Sequence, residues 1–132
     1  MSNVDKVKLI YEAFGRGDVE TILAQISEDV DWEYGATPSD VPWMQPSRGH
    51  GGAVGFFSSL AGMEINSFAI TEYLVSGDLV IALMNIDFIV KATGLRVAEE
   101  NEVHIWRFNS QGKVSRIRHR ADTLAHQRAI EG

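Results

Sequence analysis

Apolar residues recur at Val4, Val7, Ile10, Tyr11 and Phe14, a spacing that lines one face of a helix. Ser2 with Asp5 three residues on is a start signal for that helix, a capping box with Asp where Glu is usual. Gly15 and Gly17 close it. Asp18 then caps a second short helix whose Val19, Ile22, Leu23 and Ile26 share a face. Residues 30–34, rich in aromatic and β-branched types, predict a short strand. Over residues 35–52 the periodicity lapses, and Pro38, Pro42 and Pro46 with several glycines predict a loop long enough to act as a lid. A third helix is expected over residues 53–63, with Val54, Phe57, Leu60 and Ala61 on its buried side.

The remainder reads as strands, over residues 65–75, 79–91, 95–108 and 113–121. They are separated by Ser76-Gly77-Asp78, Thr93-Gly94 and Asn109-Ser110-Gln111-Gly112, the turn chemistry of an antiparallel meander. Asp122 caps a terminal helix over residues 123–130. The order ααβαββββ with a short C-terminal helix predicts an α+β fold, one domain over residues 1–132. Strands of ~10–14 residues must twist and coil. The helices then fill the concave face, and incomplete filling leaves a pocket.

Composition narrows the functions. A chain of 132 residues buries roughly 68% of its unfolded surface, enough for a core without staples. It holds no cysteine, which removes disulfides, thiolate metal sites and thiol nucleophiles. No apolar run approaches the ~18 residues of a membrane span, and Asp5, Lys6, Lys8 and Glu12 interrupt any leader-like core. A cytoplasmic address away from membranes is expected. Net charge is -6, so nucleic acid is not an expected partner. Arg116, Arg118 and Arg120, the basic cluster, alternate along one strand and read as its solvated outer face.

That alternation orients the last strand. Three arginines inside a core would be very costly, so they point outward and Ile117, His119 and Ala121 point inward. His119 is then either an acid/base or donor toward a ligand, or a core histidine held by Asp122 or a backbone carbonyl. On the preceding strand Glu102, His104, Trp106 and Phe108 share a face. Glu102 can orient a neighbouring imidazole or act as a base; otherwise it is an exposed edge charge. Asp87 sits in the apolar run 81–90, with Asn85 on its face, and is a candidate ligand contact or an outward charge. Trp32, Tyr34, Trp43, Met44 and Trp106 are candidate walls of a pocket for a small apolar organic ligand, with Trp43, between prolines, as the lid. Phe56, Phe57 and Phe68 are expected in the core, Arg48 and His50 at the surface, and His126 exposed on the terminal helix. His104, His119 and Glu102 lack metal-ligand spacing, and neither a P-loop nor a G-x-S-x-G serine is present. No metal and no cofactor are expected.

The stretches IYEAFGRGDVETILAQISEDVDWEY (residues 10–34), SRGHGGAVGFFSSL (47–60) and KATGLRVAEENEVHIWRFNSQGKVSRIRHRADT (91–123), in this order and spacing, resemble the nuclear transport factor 2-like superfamily, in its SnoaL-like and ketosteroid-isomerase-related branch. The resemblance implies a cone-shaped, cystatin-like roll, a pocket lined by the sheet and first helices, and a homodimer formed through the sheet's outer side. The superfamily holds isomerases, polyketide cyclases, epoxide hydrolases, dehydratases and non-catalytic binders, so the site must argue the chemistry. In the resembling family the strand position of His119 often holds a pocket-facing acid or histidine. Aligning residues 107–109 with ketosteroid isomerase puts His104 where that enzyme keeps a protonated aspartate as oxyanion donor, a task a neutral imidazole can also perform. The isomerase base falls at Tyr34, a poor base near neutrality, and its oxyanion tyrosine at Ile10, with Tyr11 one step out of register. Steroid isomerisation by that machinery is therefore not expected. The expectation is cofactor-independent proton transfer, of isomerase, cyclase, hydratase or dehydratase type, with His119 as acid/base, His104 as polarising donor and Glu102 as their electrostatic partner. A non-catalytic binder of a hydrophobic molecule and a structural dimerisation module are the alternatives.

Overall fold

The computed structural model describes residues 1–33 and 37–132; Tyr34, an expected pocket residue, lies outside them. Helix α1 (Asn3–Gly15) starts on the capping box expected from Ser2 and Asp5 and buries Val7, Ile10 and Ala13. Asp18 caps α2 (Val19–Gln25), which buries Ile22. Strand β1 (Ile26–Glu33) begins four residues before the expected strand. The expected loop contains a two-residue strand β2 (Ser47–Arg48) and the first turn of α3 (Gly49–Ser59), which leads into a 3₁₀ turn at Leu60–Gly62. Glycines at 49, 51, 52 and 55 are weak helix formers, which hid this start. The buried side of α3 also differs from expectation. Ala53 is buried and Phe56 and Phe57 are half-buried, whereas Val54 and Ala61 are exposed.

Strands β3 (Met63–Ser76), β4 (Leu79–Val90), β5 (Arg96–Phe108) and β6 (Val114–Arg120) form the expected meander, and Asp122 caps α4 (Thr123–Glu131). One curved six-stranded sheet results, in the order β2-β1-β6-β5-β4-β3. Strand β1 joins it parallel to β6, with Trp32 opposite Ile117 and Glu33 opposite Arg118. Two irregularities in β3, at Ile65/Ser67 and Ile70/Glu72, bend its pairing with β4. The sheet thereby wraps the helices, and its inner face divides into two cores. One joins α1, α2 and β1 to Val80, Trp106, Phe108 and Ile117. The other gathers Trp43, Met44, Phe88, Val90 and Val97 beneath α4.

Trp43 is therefore no lid. It is 1% exposed, edge-on to Phe88, and Met44 is 3% exposed beside it. The flanking prolines steer the chain inward here rather than leaving it loose. No helix among the described residues is long and apolar enough to cross a membrane.

Candidate functional site

Alternation along β5 places Glu102, His104 and Trp106 on the concave face, all buried. The indole N–H of Trp106 donates to the Tyr11 oxygen at 3.0 Å, and the Tyr11 oxygen lies 2.7 Å from His104 Nδ1. Burial pushes the Tyr11 phenol well above its usual 10, so the hydroxyl keeps its proton. Having accepted from Trp106, it donates to Nδ1. His104 then carries its proton on Nε2 and donates to Glu102 Oε2 at 3.0 Å. Both nitrogens of His104 are thus engaged by protein groups, and no N–H remains for a developing oxyanion. This corrects the polarising role expected for His104. Glu102 is 2% exposed, which also removes the edge-charge alternative.

His119 lies opposite His104 on β6, their ring centroids 4.7 Å apart and nearly perpendicular, with Phe56 stacked on the imidazole at 5.2 Å. Its Nδ1 sits 3.2 Å from the Glu33 carbonyl oxygen. A carbonyl only accepts, so Nδ1 carries the proton and Nε2 is the ring's acceptor. Burial is the main cause that pushes His119 well below the usual 6.5, the His104 imidazole adding to it. The ring is neutral at pH 7. Asp122 is not its partner but the cap of α4. The arginine row faces outward as expected, yet it is ordered: Arg118 pairs with Asp31 at 2.7 Å and Glu33 at 2.5 Å.

A break in β5 brings in groups that strand alternation misses. Met84 pairs with Glu102 but Ile86 pairs with Glu99, and Asn101 between them has φ 59°, with its N–H on Asn85 Oδ1. This bulge reverses the parity of the strand, so Glu99 turns to the same side as Glu102. There it meets His126, which is 1% exposed rather than on the outer face of α4. Trp43 Nε1 donates to His126 Nδ1 at 3.0 Å, so the proton sits on Nε2, 2.7 Å from Glu99 Oε1. The Asp122 N–H occupies Glu99 Oε2. Glu99, Glu102 and His126 each have a possible ligand atom within 4.8 Å of the others. A metal would need the lone pair of His126 Nε2, however, and the Trp43 donor places a proton there. Asn101→Val, which forces a β-branched residue into the left-handed region, is expected to lose roughly 1–2 kcal/mol in urea denaturation, and Asn101→Gly much less. Equal losses would mean that the bulge does not depend on this backbone geometry.

Glu102, His104, His119 and His126 line one cavity with Trp32, Trp106, Met84 and Phe88, and with the half-buried Phe14, Phe57 and Phe68. It offers about 60 Å³ to water-sized molecules, at the ~10–15 Å³ that each water requires. Of the expected site residues, Glu102, His104, Trp106, Trp32 and His119 converge here. Trp43 and Met44 do not line it, although Trp43 fixes His126. Asp87 is the outward charge of its two expected alternatives and not a ligand contact, because it lies on the outer face with Asn66 and Arg96. The Arg96 guanidinium holds its carboxyl down to about 2. Tyr11, Glu99 and His126 are the site groups that sequence reasoning missed. Ala129 and Ile130, three and four positions after His126, were the stripe that marked its buried side.

The SnoaL-like domain model matches residues 7–117. An NTF2-like protein from Burkholderia xenovorans LB400 is 30% identical, with TM-score 0.84 over 96% of this chain and 94% of that one. An NTF2-like protein of unknown function from Burkholderia pseudomallei K96243 is 27% identical, with TM-score 0.86 and complete coverage of both chains. TerC, co-crystallized with polyporic acid, is 25% identical, with TM-score 0.81 over 98% of each chain. No curated protein matches.

Proposed function

The chain belongs to the SnoaL-like domain family, within the nuclear transport factor 2-like superfamily, and from that premise we propose that it is a cofactor-independent enzyme of isomerase or cyclase type. It moves a proton on a small, largely apolar organic molecule held in the cavity. The observation that carries this reading is His119, a neutral imidazole in the cavity wall whose tautomer is fixed by the Glu33 carbonyl. Its role is acid/base. Because its basicity is lowered by burial, it suits a proton already acidified by a neighbouring carbonyl. Glu102 is the second proton acceptor of the site, and His104 is a positioning residue that holds it. The co-crystallization of TerC with polyporic acid supports an organic ligand.

A homodimer is part of the proposal. Ile81, Leu83, Val103 and Ile105 are half-buried on the outer face, with Leu74, 48% exposed, opposite Ile81. This apolar band suits a second copy, and sedimentation reads it directly.

One observation favours a second reading, a non-catalytic binder: both nitrogens of His104 are taken by Tyr11 and Glu102. Proton–deuterium exchange into small enolisable ketones, followed by NMR, separates the two. The wild type is expected to accelerate exchange and His119→Ala to lose the acceleration. If the variant exchanged as fast as the wild type, the acid/base assignment would fall and the binder would stand.

A further inference from the structure

Two side chains in the cavity wall carry buried polar atoms with no hydrogen-bond partner, Glu102 Oε1 and Trp32 Nε1. Both residues are 2% exposed. They differ in kind, since a carboxylate oxygen only accepts and an indole N–H only donates. Buried polar groups are nearly always paired, and an exception calls for an explanation. Neither atom takes part in the chains that bind Tyr11, His104 and Glu102, or Trp43, His126 and Glu99.

The neighbourhood of Glu102 restricts what can complement it. A metal ion would need His126 Nε2, which holds a proton. A primary ammonium has three N–H groups to place. Both oxygens of the neighbouring Glu99 already accept, from His126 and from the Asp122 N–H, which leaves Oε1 of Glu102 as the unpaired acceptor. A hydroxyl has one proton and needs one acceptor. At Trp32 the complement is an oxygen that accepts, in surroundings formed by Phe56, Phe57 and Trp106 rings. The His119 ring beside them is neutral, and no cation–π contact on these rings is found among the described residues, so a neutral carbonyl fits better than a carboxylate.

On the reading of the cavity as a ligand site, we propose that its substrate is a neutral hydroxy-carbonyl compound on an apolar ring or short chain. Its hydroxyl donates to Glu102 Oε1, and its carbonyl oxygen accepts from Trp32 Nε1–H. The carbonyl is also the group that would acidify a proton for His119. Both atoms are closed off from solvent, so the ligand seats by widening the cavity. Glu102 and Trp32 are then the specificity-determining residues.

Calorimetric titration of the full chain with ethylbenzene, acetophenone, the three ethylphenols and the three hydroxyacetophenones tests this. At least one hydroxyacetophenone is expected to bind ten-fold or more tightly than both acetophenone and the matching ethylphenol. In Glu102→Gln the amide oxygen keeps the His104 N–H and the amide NH₂ replaces Oε1, so most of the hydroxyl advantage disappears. In Trp32→Phe the carbonyl advantage disappears and the hydroxyl advantage stays. Hydroxyacetophenones that bind no better than ethylbenzene would overturn the proposal, with water then satisfying both atoms, and this comparison needs no variant. A hydroxyl advantage unchanged in Glu102→Gln would overturn it too. If no probe binds, ethylbenzene included, the ligand-site reading falls with it. If binding follows expectation while His119→Ala leaves exchange untouched, only the proton-transfer function falls.

Discussion

Replacing His104 with Ala is expected to destabilise the protein by about 3 kcal/mol, the upper part of the range for leaving a buried group without its hydrogen-bond partner, because the group left behind is a carboxylate. Glu102 is the reason. It is 2% exposed, its Oε1 has no partner, and its Oε2 has His104 Nε2 at 3.0 Å. Without the imidazole the carboxylate keeps its desolvation cost and loses its donor. The Tyr11 hydroxyl loses its acceptor at the same time, and the ring leaves its packing against Tyr11 and His119. Replacing both partners, as in His104→Leu with Glu102→Met, is expected to recover most of the loss, since apolar residues of similar volume commonly substitute for such pairs without penalty. Urea midpoints at pH 7 for wild type, single and double variants measure this. A single variant with the wild-type midpoint would show that Glu102 finds another donor, and the wall would then be plastic rather than fixed.

The two histidines facing each other were legible from the chain because a strand's side chains alternate with period two. The arginines at 116, 118 and 120 oriented β6, and the antiparallel meander laid β5 against it, so His104 and His119 could converge, and the register then set them opposite each other. The same logic failed three residues earlier. Asn101 in the left-handed region reverses β5, and alternation counted from His104 puts Glu99 on the wrong side. Asn tolerates that conformation better than most residues, but one asparagine in a strand is a weak signal. Partners far apart in sequence were also out of reach. Nothing local to Trp43 says that its indole N–H meets His126, and nothing in residues 26–33 says that the strand runs parallel to β6. The expected lid became core because the chain between Val41 and Met44 packs under α4, a contact set by the whole fold. The polarising role given to His104 failed for a related reason: Tyr11, one step out of the family register, reaches its Nδ1.

His119 makes the pH dependence of stability and of turnover a joint test. An ordinary histidine binds a proton near pH 6.5, and the unfolded chain does so at this position. In the folded protein, burial, the His104 imidazole and the nearby Arg120 and Arg118 all resist that proton. The unfolded state therefore binds more protons below pH 6.5, and stability falls as the pH drops. The contribution is complete above 6.5 and is lost progressively toward the lowered folded value. One such group accounts for about 2 kcal/mol between pH 7 and pH 5. His119→Gln removes the titrating group, so its stability curve is expected to be flatter by that amount. The proton-transfer reading adds a kinetic consequence. The acid limb of the rate profile should lie well below 6.5, which leaves the exchange rate level through neutral pH, and His119→Gln should lower that plateau by roughly 100-fold or more. Parallel stability curves for the two proteins would mean that His119 takes up its proton in the folded state as readily as in the unfolded one. Its basicity in the folded protein would then be that of an ordinary histidine, and the acid limb of the rate profile should move up into the ordinary histidine range with it.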